Sequence, residues 1–228
     1  MKSNVAETKN NQPTIKQKLS YYCEHITTVT HALILWFVLY VWYLAVKDGG
    51  WNAYTIHAVF YVTGWMLLML EGIIAISPHN VITKYVSHNS KTIIHLVAQV
   101  MSAGFCLYGF FWLFKERSVH FYSHHSKAGL ASLILTLPTF VNGFSALFAV
   151  QFKRFISPSL HKLIHAFCGI GTFVAGTIAL YLALDKRWYT SKVSPDTVIF
   201  TKVVVLFSVI WNFVQPLLTS FERIKYLF

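Results

Sequence analysis

The sequence predicts an all-α integral membrane protein of six transmembrane helices, with helices two to five forming a core bundle. Six apolar runs each reach the length of about 20 residues that spans a bilayer. Only 12% of the 228 residues are charged and 55% are hydrophobic, against about 25% charged in soluble domains. The runs show no sustained alternation of period two, which argues against a barrel and leaves helices, which satisfy their own backbone groups in lipid.

The runs are, in order, Ile26–Val46, Tyr54–Ile76, Ile93–Phe114, Ala128–Val150, Leu163–Leu184 and Val198–Ser220. Short charged connections separate them. Lys47, Asp48, Gly49 and Gly50 mark the first turn, and Ser77 and Pro78 stop the second run before Lys84 and Lys91. Lys115, Glu116 and Arg117 end the third. Lys153, Arg154 and Pro158 precede the fifth, and Asp185, Lys186, Arg187 and Pro195 precede the sixth. Pro138 and Pro216 fall inside runs, where membrane helices tolerate proline as a bend. No connection is long enough for a second domain. The expected organisation is a polar tail over residues 1–24, one transmembrane domain over 25–221 and a short tail over 222–228.

The formal charge of +11 does not point to nucleic acid, because the cations flank apolar runs instead of forming one basic face. The polar start has no apolar stretch and small-residue cleavage site of the signal-peptide kind, so the first run is read as an uncleaved anchor. Eleven of the 19 Lys and Arg residues lie on the side that holds both termini, which places the termini in the cytoplasm. Cys23, Cys106 and Cys168 have no spacing suited to a disulfide framework or a zinc site and are read as packing residues.

Eleven histidines are many for so apolar a chain. An ionisable group within a span is rare and often functional, and neutral imidazole is a haem-iron ligand. His57, His95, His125 and His165 each lie near the start of their own helix, the second to the fifth. Neighbouring helices run in opposite directions, so His57 and His125 share an outer layer and His95 and His165 an inner one. Two facing histidines can hold one haem iron from both sides, with no position open for oxygen. A 22-residue helix is about 33 Å long, which sets two such irons roughly 20–25 Å apart. Gly129 and Gly169 each follow a candidate ligand by four residues, on the same helix face, and keep that face flat. Ala128 stands at the same offset from His124, so His124 stays open beside His125. The competing reading of each histidine is a buried side chain bonded to a neighbour, which is adopted for His31. His25, His79, His88, His120, His124 and His161 are read as solvated. A transporter or channel that uses the histidines for metal or protons is the alternative, although the middles of the spans are dominated by Leu, Val, Phe and Gly.

The segments IHAVF at His57, IIHLVAQ at His95, FYSHHSKAG at His125 and KLIHAFCG at His165 resemble the cytochrome b561 family of transmembrane ascorbate-dependent oxidoreductases. The likeness covers nearly the whole chain. A motif of the form YSxHxxxG fits Tyr122, Ser123, His125 and Gly129 and selects His125 over His124. LEGIIAISP resembles the small cytochrome b561 domain-containing branch. Ile76, Ser77 and Pro78 stand where vesicle-type members carry an arginine motif.

The resemblance implies two haem b groups, with His57 and His125 as axial ligands of the outer iron and His95 and His165 of the inner. It implies cytoplasmic ascorbate as donor and monodehydroascorbate or a ferric chelate as acceptor. The expected location is an endomembrane, either endoplasmic reticulum or vesicles, and members often form homodimers. Lys84, Lys91 and Arg154 on the inner face are candidate attractors of the ascorbate anion, although plain positive-inside anchoring accounts for them equally. His120 and Tyr122 are candidate contacts to the outer haem edge or the acceptor. Glu71 lies 14 residues after His57, about 21 Å deeper. It is either a proton acceptor or a group that orients a propionate at the inner haem, or else a protonated, hydrogen-bonded core residue.

Overall fold

The computed structural model describes residues 14–47 and 50–225. The expected tail over residues 1–24 thus falls partly outside the described residues, as do Asp48 and Gly49 of the first turn and the end of the tail over 222–228. Six long helices follow one another: α1 (Ile15–Lys47), α2 (Ala53–Ala75), α3 (His88–Glu116), α4 (His124–Leu147), α5 (Pro158–Ala183) and α6 (Pro195–Lys225). A single helical turn, Arg187–Thr190, lies between α5 and α6. All six are long and apolar enough to cross a membrane. Among the described residues there is no strand.

Helix starts are written in side-chain chemistry. The Asn52 side chain accepts from the backbone of Tyr54 and Thr55, both at 3.0 Å. Ser87 caps α3, Ser123 forms a capping box with Ser126 on α4, and Ser157 caps α5 ahead of Pro158. Each cap satisfies backbone N–H groups that the first turn leaves without partners. The caps lie outside the apolar runs, so α3 and α5 begin earlier than hydropathy suggests and His95 and His165 sit two turns inside them. Likewise α1 starts at Ile15, not at Ile26, because a helix continues through polar residues once its apolar part is nucleated.

Helix α2 is not uniform. Val62–Met69 winds as a π-helix between two α-helical parts, a feature that occurs mostly as local bulges, frequently at functional sites.

Two helix pairs dominate the packing, α2 with α3 and α4 with α5. Helices α1 and α6 pack together and close one side, α1 against α2 and α6 against α5. The apolar core therefore gathers off-centre. It contains Phe37 and Val41 of α1, Trp65 and Met66 of α2, Phe173 of α5 and Val205 of α6. Between the two pairs runs a slot, and the four candidate ligand histidines face it.

Candidate functional site

In the outer layer the rings of His57 on α2 and His125 on α4 face each other, with centroids 6.0 Å apart and planes at 84°. In the inner layer His95 on α3 and His165 on α5 stand 6.2 Å apart at 88°. Imidazole nitrogen binds a transition metal at about 2 Å, and the nitrogen lies about 1 Å from the ring centre. Two imidazoles on opposite sides of one iron therefore need centroids about 6 Å apart. Both pairs meet that spacing.

Each of the four rings is held by its other nitrogen. His57 Nδ1 donates to the Gly109 carbonyl at 3.2 Å and His95 Nδ1 to Gly72 at 2.9 Å. His125 Nδ1 donates to Ala179 at 2.8 Å and His165 Nδ1 to Thr139 at 3.1 Å. A carbonyl can only accept, so Nδ1 carries the proton in all four and Nε2 presents its lone pair to the slot. This is how metal-binding histidines are commonly oriented, with the N–H bond fixing tautomer and ring direction. His95 bonds to Gly72, 15 residues beyond His57, which separates the layers by about 22 Å along α2.

The carbonyl acceptors explain two glycines that hydropathy does not single out. A Cβ at Gly72 would lie 2.9 Å from the Ala98 Cβ, and one at Gly109 would lie 3.1 Å from the Phe60 Cβ. Both glycines let α2 and α3 approach until imidazole and carbonyl meet. Gly143 acts on the other pair, where a Cβ would come 3.1 Å from the His165 ring. At Gly129 and Gly169 an added Cβ would make only ordinary contacts, at 3.9 Å and 3.8 Å, so helix packing does not require these two glycines.

A cavity of about 1180 Å³ opens around the outer pair, lined by His57, His125, Gly129 and apolar side chains such as Phe110 and Leu133. Trp65, in the π-helical part of α2, forms part of its wall. The indole lies against Gly176 of α5 and stacks on Phe173 at 6.2 Å and 18°. In sequence Trp65 is midway between His57 and Gly72, so it stands between the two layers. Periodicity alone marks it only as an apolar residue.

The outer mouth is basic. Arg117, Lys186, Arg187 and Lys192 line it with His120 and Tyr122. Arg117 donates to the Tyr54 hydroxyl at 2.7 Å. His120 is exposed and stacks on Phe114 at 3.9 Å, and Tyr122 is exposed. Phe121 between them takes φ 52, a left-handed conformation uncommon for a bulky residue and often met at functional loops. The charged loops that the sequence offered only as helix ends thus converge with the two aromatic candidates on one opening.

The three inner cations have separate placements. Lys91 is buried and its Nζ donates to the Ser77 carbonyl at 3.3 Å. Lys84 pairs with Glu24 at 2.7 Å, a bond to the carboxylate that holds its ammonium above the ordinary range. Arg154 is exposed between α4 and α5. Glu71 Oε2 meets His31 Nδ1 at 2.6 Å, while His31 Nε2 is buried with no hydrogen-bond partner assigned among the described residues. The neighbour expected for His31 is therefore Glu71. His161 corrects the sequence reading. It is buried, not solvated, with Nδ1 against the Ser145 hydroxyl, because the start of α5 packs along α4 instead of projecting free.

The sequence pattern of the eukaryotic cytochrome b561 family matches residues 56–190, the part that carries all four histidines. The chain belongs to that family. As a cytochrome b561 it is a multi-pass membrane oxidoreductase that binds haem, which agrees with the fit of the histidine pairs. It is similar to the transmembrane reductase CYB561D2 of Homo sapiens, Mus musculus and Bos taurus. In each case it is 26% identical over 168 residues, which cover 72% of this chain and 74% of the relative. No solved structure matches this cytochrome b561.

Proposed function

We propose that this cytochrome b561 is a di-haem transmembrane reductase, taking electrons from cytoplasmic ascorbate and delivering them to monodehydroascorbate or a ferric chelate on the opposite side. The observation that carries the reading is the repeated pair: two facing histidines about 6 Å apart, each with Nδ1 tied to a backbone carbonyl, at both ends of one slot. His57 and His125 would hold the outer haem b, and His95 and His165 the inner. Bound there, haem would supply one-electron chemistry.

The chain's own groups do the rest. The fixed tautomers keep the four Nε2 atoms ready to bind without reorganisation. Phe110, Leu133 and Trp65 give the slot apolar walls, which would exclude water around a bound haem and favour electron transfer over side reactions. Ascorbate and monodehydroascorbate are anions near neutral pH, and so are common ferric chelates. The outer rim of Arg117, Lys186, Arg187 and Lys192 attracts such an acceptor, and His120 and Tyr122 offer it a stacking and hydrogen-bonding surface. Inside, Lys91 and Arg154 supply positive potential for the donor, and Lys84 adds to it only in so far as its pairing with Glu24 opens. The Glu71–His31 pair can hold the proton that ascorbate releases on oxidation. Both termini are cytoplasmic in this reading, the membrane is an endomembrane, and a homodimer is the expected assembly.

The test is an absorption spectrum of the purified protein before and after ascorbate. A b-type reduced band at two haems per chain supports the reading. A protein without haem, or with haem that ascorbate leaves oxidised, overturns it.

A further inference from the structure

One buried donor near the inner layer has no part in the scheme above. His161 lies four residues before His165, so the two share a face of α5, and His161 is one turn nearer the helix start, about 6 Å away. Both rings direct Nδ1 at α4, His165 to the Thr139 carbonyl and His161 to the Ser145 hydroxyl. Nε2 lies on the far side of the ring from Nδ1, so that of His161 points away from α4, as that of His165 does. It is buried, and among the described residues it has no hydrogen-bond partner. The Ser145 hydroxyl can donate to Nδ1, and in that tautomer Nε2 carries the ring proton. A buried N–H left without an acceptor is costly, which marks the place of an absent acceptor.

The opposite ligand helix repeats the arrangement. Ser87 caps α3 and Ser157 caps α5, and each ligand follows its cap by eight residues. Midway stand Lys91 on α3 and His161 on α5, both buried. Each inner ligand thus has a buried N–H donor one turn below it, at matched depth. Two such donors at one level suit an anion, not a cation.

We propose that His161 is a binding residue of the inner site, its Nε2–H donating to an anionic oxygen held just below the His95–His165 layer. This rests on the di-haem reading, and two sources fit the chemistry: a propionate of the inner haem, or the acidic enediol oxygen of the donor. A cation ligand is disfavoured by Lys91 on the same level.

The experiment uses the full chain in nanodiscs with H161N, H161Q and S145A. Asn keeps an amide near the Nδ1 position, able to meet Ser145, and lacks the Nε2 position. Gln places an N–H near Nε2. Redox titration without ascorbate, with each variant placed in the His57→Ala background that lacks the outer haem, reads the inner haem, and ascorbate kinetics with His57 intact follow. For a propionate, H161N raises the ferric-to-ferrous ratio of the inner haem at fixed potential about threefold to tenfold, the size of one lost hydrogen bond, because the carboxylate charge is less compensated. H161Q restores the ratio and the ascorbate KM is unchanged. For a donor oxygen, the ratio stays put, KM rises by a similar factor in H161N, and H161Q restores it. Either result supports the proposal. H161N matching wild type in both readouts overturns it. So does H161Q failing alongside H161N and S145A, which makes the ring a packing element of α4 and α5. If H161N does not fold, H161M, of similar bulk and without a donor, takes its place. A wild-type protein that holds no haem defeats the di-haem reading instead, whatever the variants do.

Discussion

Replacing Gly176 with alanine tests whether the wall between the two layers is built as the structure has it. The new Cβ would lie 2.0 Å from Trp65 Cζ2 and 2.3 Å from Cη2. Carbon atoms rest at about 3.5–4.0 Å, so indole and methyl must part by roughly 1.5–2 Å. Trp65 is 5% exposed, and Phe173 stacks on it from the side. The indole can retreat only toward the slot or by spreading α2 from α5. Overpacking of this kind costs about 1–3 kcal/mol, and a retreat into the slot narrows the space around the outer histidine pair. Thermal unfolding in detergent together with haem content per chain provides the assay. Gly176→Ala should lower Tm and reduce bound haem. Trp65→Phe, which removes the clashing part of the ring, should relieve most of the loss in the double variant, with a coupling of about 0.5–3 kcal/mol as expected for residues in contact. A Gly176→Ala protein with wild-type Tm and haem content refutes the packing argument, and strictly additive losses refute the direct contact.

Removing a ligand should separate the layers. His57→Ala or His125→Ala is expected to lower haem from two to about one per chain and leave the other reducible, whereas loss of both haems in each variant speaks against independent sites. Glu71→Gln should slow the reduction of haem by ascorbate in stopped-flow absorbance without changing haem content, and His31→Gln should follow it. Unchanged kinetics in both dismiss a proton-holding role. Arg117→Ala should raise KM for an anionic ferric chelate about 2–10-fold at low salt, with the difference shrinking as ionic strength rises. An equal effect on a cationic acceptor contradicts the electrostatic explanation.

Some of the architecture is local and was therefore readable in the residue order. A span is a run of apolar side chains, so hydropathy locates α1 to α6 without knowledge of their neighbours. Alternating helix direction then pairs His57 with His125 and His95 with His165, and the structure brings together the same rings. Helix ends were less legible, because Ser87 and Ser157 cap their helices beyond the apolar runs that define a span.

What remained hidden depends on which face of each helix meets another. Gly72 and Gly109 look like ordinary membrane glycines until α2 lies close enough to α3 for their carbonyls to meet His95 and His57. Trp65 is one more apolar residue until a π-helical segment turns it onto Gly176. Arg117 and Lys186, far apart in sequence, meet at one opening only through the fold. His161, read from its place near a helix start as solvated, is buried because α5 packs along α4. Sequence by itself determined the number of helices, their directions and the two layers of histidines, since those follow from the solvent each segment requires. Tertiary structure decided the tautomers, the slot and its basic mouth, since hydrogen bonds and close contacts between helices depend on distances that no single helix encodes.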